Sequence, residues 1–321
     1  MKAEMHTERP EQVLLSNPRS DRVKAVARLS GRSARQRAGR FVVEGPQAVR
    51  EAVAGQAREL RPGRLRELYA TAGAAQRYRD ILDAAARAGV DFRPVTDEVL
   101  AAMLADGGTL NPQGLLAVCD LIGADLAGVL ARRPTLIAVL SQVRDPGNAG
   151  TVIRAADAAG ADAVLLTGAS VDVHNPKAVR ATAGSLFHLP VVTGIGLPEA
   201  VTALRAAGLW MLAADGAGEH DLDDLADDAQ RGPAGEPAPA RGALGLAGPV
   251  GWIFGNEAWG LPGPDRALAD AVVRVPVHGR AESLNLATAA TVCLYATARA
   301  QHAPARAERK NRVVESERID G

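Results

Sequence analysis

The sequence predicts an α/β protein, with a mostly parallel sheet covered by helices on both faces in the carboxyl-terminal half and a smaller α/β unit ahead of it. Short, largely apolar runs such as TLIAVL (135–140), ADAVLLTG (161–168) and VGWIF (250–254) have the character of strands buried on both faces. Helix-patterned segments alternate with them, among them NAGTVIRAADAAG, LPEAVTALRAAG and SLNLATAATVCLYATARAQ, set off by glycine, proline and asparagine. The same rhythm also runs once before residue 122, and 321 residues of which 47% are hydrophobic suffice for two cores.

In chain order, the first unit opens on a basic segment, Arg19 to Arg40, and continues with the strand FVVEG and the helix PQAVREAVAGQAREL, which tolerates Pro46 in its first turn. LRELYAT, AAQRYRDILDAAARAG and VDFRPVT read as strand, helix and strand, and DEVLAAML and GLLAVCDLI complete a unit assigned to residues 1–122. Residues 123–134 read as a linker whose leucines permit a short helix. The second unit is assigned to 135–300, with NPKAVRATAG, LPVVT, LWMLAAD and AVVRVPV continuing the alternation. Residues 216–249 read as a surface insertion, partly disordered, because seven acids between Asp215 and Asp228 precede the Pro/Gly/Ala-rich run RGPAGEPAPARGALGLAGP. Residues 301–321 read as a polar tail.

Composition narrows the function. Cys119 and Cys293 sit in apolar or alanine-rich runs and read as small buried hydrophobes of a reducing compartment. No signal peptide, no apolar run of membrane-spanning length and no metal-binding spacing among the scattered histidines is expected, which points to a cytoplasmic, metal-free protein. The formal charge of zero hides an asymmetry: residues 1–133 hold 21 Lys+Arg and 16 Asp+Glu, and the rest, by subtraction from 37 of each, hold 16 and 21. Arg22, Lys24, Arg28, Arg32, Arg35 and Arg40 crowd one segment, either as a phosphate-binding footprint or as a solvated helix face.

Three polar clusters follow apolar strands. SQVRDPGNAGTVIR presents Asn148, read as a helix cap, and Arg154; GWIFGNEAWGLP presents Gly255 and Glu257; RVPVHGRAESLNLATAA presents Val275, Ser283, Leu284 and Asn285. Ser283 reads as the cap of a buried helix, leaving the Asn285 amide for a ligand at the positive helix end. No G-x-G-x-x-G opens the first helix of this domain and no GK[ST] occurs, so neither a dehydrogenase nor a P-loop enzyme is indicated.

Taken in order, N-x-G-x-x-x-R (148–154), F-G-N-E-x-x-G-L (254–261) and P-x-x-G-x-x-x-S-L-N (276–285) resemble the three motifs of the SpoU/TrmH branch of the SPOUT methyltransferases. NPKAVRATAGSLFHLPV, with Arg180, Gly184, Phe187 and Pro190, resembles the segment between the first two. The first unit is similar to the ribosomal-protein-L30-like substrate domain that often precedes this catalytic domain.

The resemblance implies transfer of a methyl group from S-adenosylmethionine to a ribose 2′-hydroxyl of RNA, a trefoil-knotted carboxyl-terminal domain and a homodimer. It implies catalytic roles for Asn148, Arg154, Glu257, Ser283 and Asn285, with cofactor contacts from Gly255, Val275 and Leu284. Glu257 is expected to orient Arg154 or the ribose, and Gly255 to let the cofactor approach the backbone. A guanidinium stays protonated at neutral pH, so Arg154 is read as a cation that stabilises charge on the 2′-oxygen, with proton abstraction through a phosphate relay as the alternative. Arg180 joins the basic residues of the first unit as an expected RNA contact. Ribosomal RNA is the expected substrate; transfer RNA and a non-catalytic RNA-binding role are the alternatives.

Overall fold

The computed structural model describes residues 13–57, 64–104, 113–231 and 244–303, which form two compact units. The first comprises the described residues up to Ile122 together with His174–Phe187; the second comprises Gly123–Val173 and the chain from His188 onward.

The first unit contains α1 (Asp21–Ala27), α2 (Arg32–Ala38), β1 (Arg40–Glu44), α3 (Pro46–Ala57), β2 (Leu65–Ala70), α4 (Ala72–Arg77), α5 (Arg79–Arg87), β3 (Phe92–Pro94), α6 (Asp97–Leu104) and β4 (Leu115–Asp120). Its sheet runs β1-β4-β2-β3, antiparallel except for β2 with β3. Local chemistry sets the ends. Ser20 caps α1 by accepting from the Val23 N–H, and Gly39 closes α2 in the left-handed conformation at φ 65°. Val23 and Val26 of α1 and Val99, Leu100 and Met103 of α6 are buried against Val42, Tyr69 and Leu116 of the sheet. The single helix expected over 74–89 is two, broken at Tyr78, whose φ of −117° and ψ of 36° are not helical.

The second unit contains α7 (Leu126–Leu130), β5 (Leu136–Ser141), α8 (Pro146–Ala159) and β6 (Ala163–Thr167); α9 (Pro176–Thr182), which follows, belongs to the first unit. The chain continues through β7 (Val191–Ile195), α10 (Leu197–Ala206), β8 (Trp210–Ala214), β9 (His220–Asp221), α11 (Leu222–Arg231), β10 (Val250–Phe254), α12 (Gly263–Arg266), β11 (Ala271–Arg274) and α13 (Leu286–Gln301). Among the described residues its seven strands run β7-β6-β5-β10-β8-β11-β9, every neighbouring pair parallel. Val129 of α7 and Leu197, Val201 and Leu204 of α10 pack on one face, against Ile137, Val139, Met211 and Ile253. On the other face α8 and α13 pack together and against β5, and the wholly buried Trp252 of β10 donates its indole N–H to Thr297 Oγ1 of α13 at 2.9 Å.

Three boundaries differ from the sequence reading. Residues 123–134 hold the short helix that their leucines permit and pack with the second unit: Asp125 caps α7, and Val129 is buried in the second core. The second unit is not continuous from 135, because His174–Phe187 fold with the first. The acidic part of the 216–249 insertion, before residue 232, is folded: His220–Asp221 pair with β11 at the sheet edge, and Leu222 and Leu225 of α11 are buried while its acids face water. Residues 232–243 of the Pro/Gly-rich run and 304–321 of the tail lie outside the described residues. Both cysteines are free and buried, and no described helix is long and apolar enough to cross a membrane.

Candidate active site

The chain winds β5, β6, β7 outward to one edge of the sheet and then resumes at β8, on the far side of β10. Ligands of such sheets sit beyond the carboxyl ends of the strands where the winding reverses. β5 and β10 lie side by side at this reversal, Leu140 opposite Phe254, so the loops that leave them emerge together. All four apolar side chains of β10 are buried, each contributing about 1.5–3 kcal/mol, which anchors the base of its loop.

The loop after β10 folds on itself. Asn256 and Gly260 exchange main-chain hydrogen bonds at 2.9 Å each, and Gly260 takes φ 66°. A Cβ on Gly255 would stand 2.4 Å from Gly260 C and O. Gly255 is therefore required by its own loop, a demand that stands beside the expected approach of a cofactor. Asn256 is buried and ties the two loops together, donating from Nδ2 to the Gln142 carbonyl at 2.8 Å and accepting the Ala258 N–H at 2.9 Å. Gln142 holds φ 55°, unusual for a residue with a side chain, and with Ser141 donates to Asp265 Oδ2.

Helix α8 begins with Asp145 as its cap, accepting the Asn148 N–H at 2.8 Å, and with Pro146 in its first turn. Asn148 is thus not the cap, as the sequence suggested, and its amide is free to face the other loops. It donates from Nδ2 to Glu257 Oε1 at 3.3 Å and accepts at Oδ1 from Asn285 Nδ2 at 3.1 Å. Asn285, not Ser283, caps α13: its Oδ1 accepts the Ala287 and Thr288 N–H groups at 2.9 and 3.4 Å. These bonds fix both amide orientations. Every donor points the same way, from the positive end of α13 through Asn285 and Asn148 to the carboxylate of Glu257, which also accepts the Asp145 N–H at 3.4 Å. Glu257 is exposed, and Oε2 has no partner among the described residues.

The structure therefore brings together Asn148, Glu257 and Asn285 and leaves the other two catalytic candidates apart. Ser283 is exposed on the loop before α13. Arg154 is exposed on α8 with no hydrogen bond or ion pair to a described residue; six residues past Asn148 places it about 9 Å along the axis and about 120° around it. Glu257 does not contact Arg154 within the chain, which leaves the ribose as the other expected partner of its carboxylate.

The loop after β11 leaves its main chain open to a ligand. Its residues 276–284 make no main-chain hydrogen bond to another described residue, and Val277 and Leu284 leave 39% and 37% of their surface in water. Free main-chain donors and acceptors beside apolar side chains can engage the polar and apolar parts of a small ligand together. Val275 and Leu284 open and close this stretch.

The basic candidates of the first unit are not equivalent. Arg35 is 2% exposed and donates to the Leu29 and Ser30 carbonyls at 2.9 and 2.5 Å. Its place as an RNA contact is withdrawn: it holds the turn between α1 and α2. Arg180 pairs with the buried Glu44 at 3.2 Å, which binds α9 to β1, while 30% of its side chain stays in water. Arg22 and Arg40 share Glu67, at 2.8 and 3.6 Å. That acid also accepts from the Tyr69 hydroxyl, whose pKa is pushed up to about 12, chiefly by burial and then by Glu67. Lys24, Arg28 and Arg32 remain exposed; Lys24 has only a loose 4.0 Å contact to Asp21, and the two arginines have no ion pair with a described residue.

Sequence reasoning missed two residues at the rim. The Arg144 guanidinium lies over the Trp259 ring, 5.1 Å from its centroid, on the loops after β5 and β10. The only signal was an aromatic residue in a loop where no core needs one.

Comparison with known proteins adds to this geometry. Residues 135–295 match the SpoU rRNA methylase family, and residues 20–117 match the MRM3-like substrate binding domain. The chain is 30% identical over 281 residues to 23S rRNA (guanosine(2553)-2′-O)-methyltransferase RlmP of Bacillus subtilis, covering 88% of this chain and 97% of that one. It is 33% identical over 283 residues to 23S rRNA (uridine(2479)-2′-O)-methyltransferase of Streptomyces viridochromogenes, covering 85% and 87%. Among solved structures it is similar to AdoMet-bound rRNA methyltransferase from Sinorhizobium meliloti, with TM-score 0.70, 26% identity and 89% and 97% of the two chains covered. The SpoU methyltransferase AviRb of Streptomyces viridochromogenes in complex with AdoMet superposes with TM-score 0.69 at 29% identity, covering 87% and 98%.

Proposed function

The chain belongs to the SpoU rRNA methylase family and is an S-adenosylmethionine-dependent RNA 2′-O-ribose methyltransferase, and from that premise we propose that its acceptor is a ribose of large-subunit ribosomal RNA and that the Asn285–Asn148–Glu257 chain holds that ribose. The carrying observation is the one-directional hydrogen-bond chain between three loops, which ends in a carboxylate with an unused oxygen. A ribose hydroxyl can donate to Oε2 of Glu257 and be held in line for transfer.

The cofactor supplies an electrophilic methyl group on its sulfonium; Val275 and Leu284 would hold it through main chain and apolar side chain, and Gly255 shapes the loop facing them. Arg154 stays protonated and projects into solvent apart from this chain; its proposed part is to meet a phosphate of the bound RNA and so to offset negative charge gathering on the 2′-oxygen. Ser283 is a further hydroxyl available to the ribose. The proposal includes a homodimer. Its support is the solvent face of α13, on which Val292 and Tyr295, three residues apart, leave 40% and 50% of their surface exposed. The motif order and strand-end placement support the trefoil knot, and the four-stranded sheet with Lys24, Arg28 and Arg32 exposed supports an L30-like RNA-delivery role for the first unit, in the cytoplasm.

Mapping 2′-O-methylation in total RNA from cells with and without the protein is the test. Loss at one nucleotide of large-subunit ribosomal RNA is expected. Loss confined to transfer RNA would move the substrate, and no loss anywhere would favour a non-catalytic RNA-binding protein.

A further inference from the structure

Trp259 and Arg144 take no part in the Asn285–Asn148–Glu257 chain, yet they flank it. Arg144 directly precedes Asp145, whose N–H reaches Glu257, and Trp259 follows Glu257 by two residues. Trp259 is 49% exposed, whereas Trp252 on the strand below is fully buried. The fold of this loop uses Gly255 and Gly260 and the Asn256 side chain, and makes no demand on the side chain at 259. Its indole N–H has no partner among the described residues. A large apolar ring is thus kept in water at the rim of the site, with a guanidinium 5.1 Å from its centroid.

We propose that Trp259, backed by Arg144, is the stacking platform for an unpaired nucleobase of the RNA substrate, so that the enzyme accepts a nucleotide whose base is free of a helix. The inference rests on the RNA reading of the site. Unpaired bases are recognised by stacking on aromatic rings and arginine planes, whereas a base inside an A-form helix offers no face to stack on. Charge selects RNA over the cofactor as occupant. S-adenosylmethionine carries a sulfonium cation and gains nothing from a second cation at the ring, while a polyanion with aromatic bases gains from both partners.

The test uses the full-length protein and ribosomal RNA from cells that lack it. Binding is measured directly, and methyl transfer in single turnover across RNA concentrations. Loss of one base stack is worth about 1–3 kcal/mol, so Trp259→Ala should raise the RNA dissociation constant and the half-saturating RNA concentration about 5- to 150-fold. The rate at saturating RNA should change much less. Trp259→Phe should recover most of the loss, and Arg144→Lys, which keeps charge but not the plane, only part of what Arg144→Ala removes. Calorimetry should show unchanged S-adenosylmethionine affinity for all four variants. Unchanged RNA binding by Trp259→Ala overturns the proposal. So does a matching loss of S-adenosylmethionine affinity, which would put the cofactor on the ring, or a change of sedimentation state, which would put Trp259 in a subunit interface. Wild-type protein that binds the RNA and methylates nothing would fail the methyltransferase reading, while the binding difference still decides this one.

Discussion

The basic segment of the first unit and the loop cluster of the second are both dense in polar side chains, and they use them in opposite ways. In the first unit, Arg22 and Arg40 are drawn to Glu67 and Arg35 is buried on carbonyl oxygens, so neighbours in sequence spend much of their charge on the fold itself. In the second unit, Asn285 reaches Asn148 across 137 residues and Asn148 reaches Glu257 across 109, and the bonds leave a carboxylate oxygen pointing out of the protein. A run of like charges therefore overstates a binding surface, while three scattered polar residues understate a site.

The largest effect expected from this contrast lies in the loop cluster. Glu257→Ala should cut single-turnover methyl transfer by about 10²- to 10³-fold, the usual scale for removing one preorganised polar group, with S-adenosylmethionine affinity little changed. Glu257→Gln keeps an acceptor for Asn148 but loses the charge, and should fall between. A Gln variant as fast as wild type would reduce Glu257 to a loop brace. Arg154→Ala should lose about 10²-fold at saturating RNA, and Arg154→Lys should keep only weak activity because it lacks the planar fork. Full activity in the Lys variant would assign Arg154 a diffuse field alone.

Next come changes in stability. Gly255→Val should destabilise the protein by at least about 1–3 kcal/mol, because its Cβ meets the Gly260 main chain at 2.4 Å. Thermal unfolding decides this: cofactor binding lost with an unchanged midpoint would leave Gly255 the role of a cofactor contact alone. Within the basic segment, Arg35→Ala should lower the unfolding midpoint by leaving two carbonyls without their donor. Arg28→Ala and Arg32→Ala should leave it in place and each reduce the salt slope of RNA affinity by about one. Equal effects of all three on RNA binding would erase the distinction drawn above.

The smallest expected effect is chemical. Burial pushes both thiol pKa values well up, for Cys119 with a further push from Asp120, so the neutral thiol persists through the ordinary pH range. A thiol reagent should label Cys119 and Cys293 only at the rate of unfolding, measured by mass spectrometry with and without denaturant; rapid labelling of the folded protein would show that one of the cores opens.

The sequence alone determined the alternation of strands and helices, because buried parallel strands must be apolar throughout and each helix must carry turn chemistry at its ends. It also determined which three loops hold polar residues, since only strand-end loops interrupt those runs. It did not show which residue caps which helix. Asp145 and Asn148 are both good caps by residue type, as are Ser283 and Asn285, and only the path of the neighbouring loop decides which side chain turns back to its own helix. Nor could it show that Gly255 is demanded by Gly260 or that Arg35 is buried on the Leu29 and Ser30 carbonyls, because each depends on how a loop or turn folds back on itself, nor that 174–187 fold with the first unit, which depends on packing between segments far apart in sequence. The acidic residues before 232 make the same point in reverse: their charge suggested a partly disordered surface insertion, whereas Leu222 and Leu225 are buried and that stretch forms a helix after the edge strand.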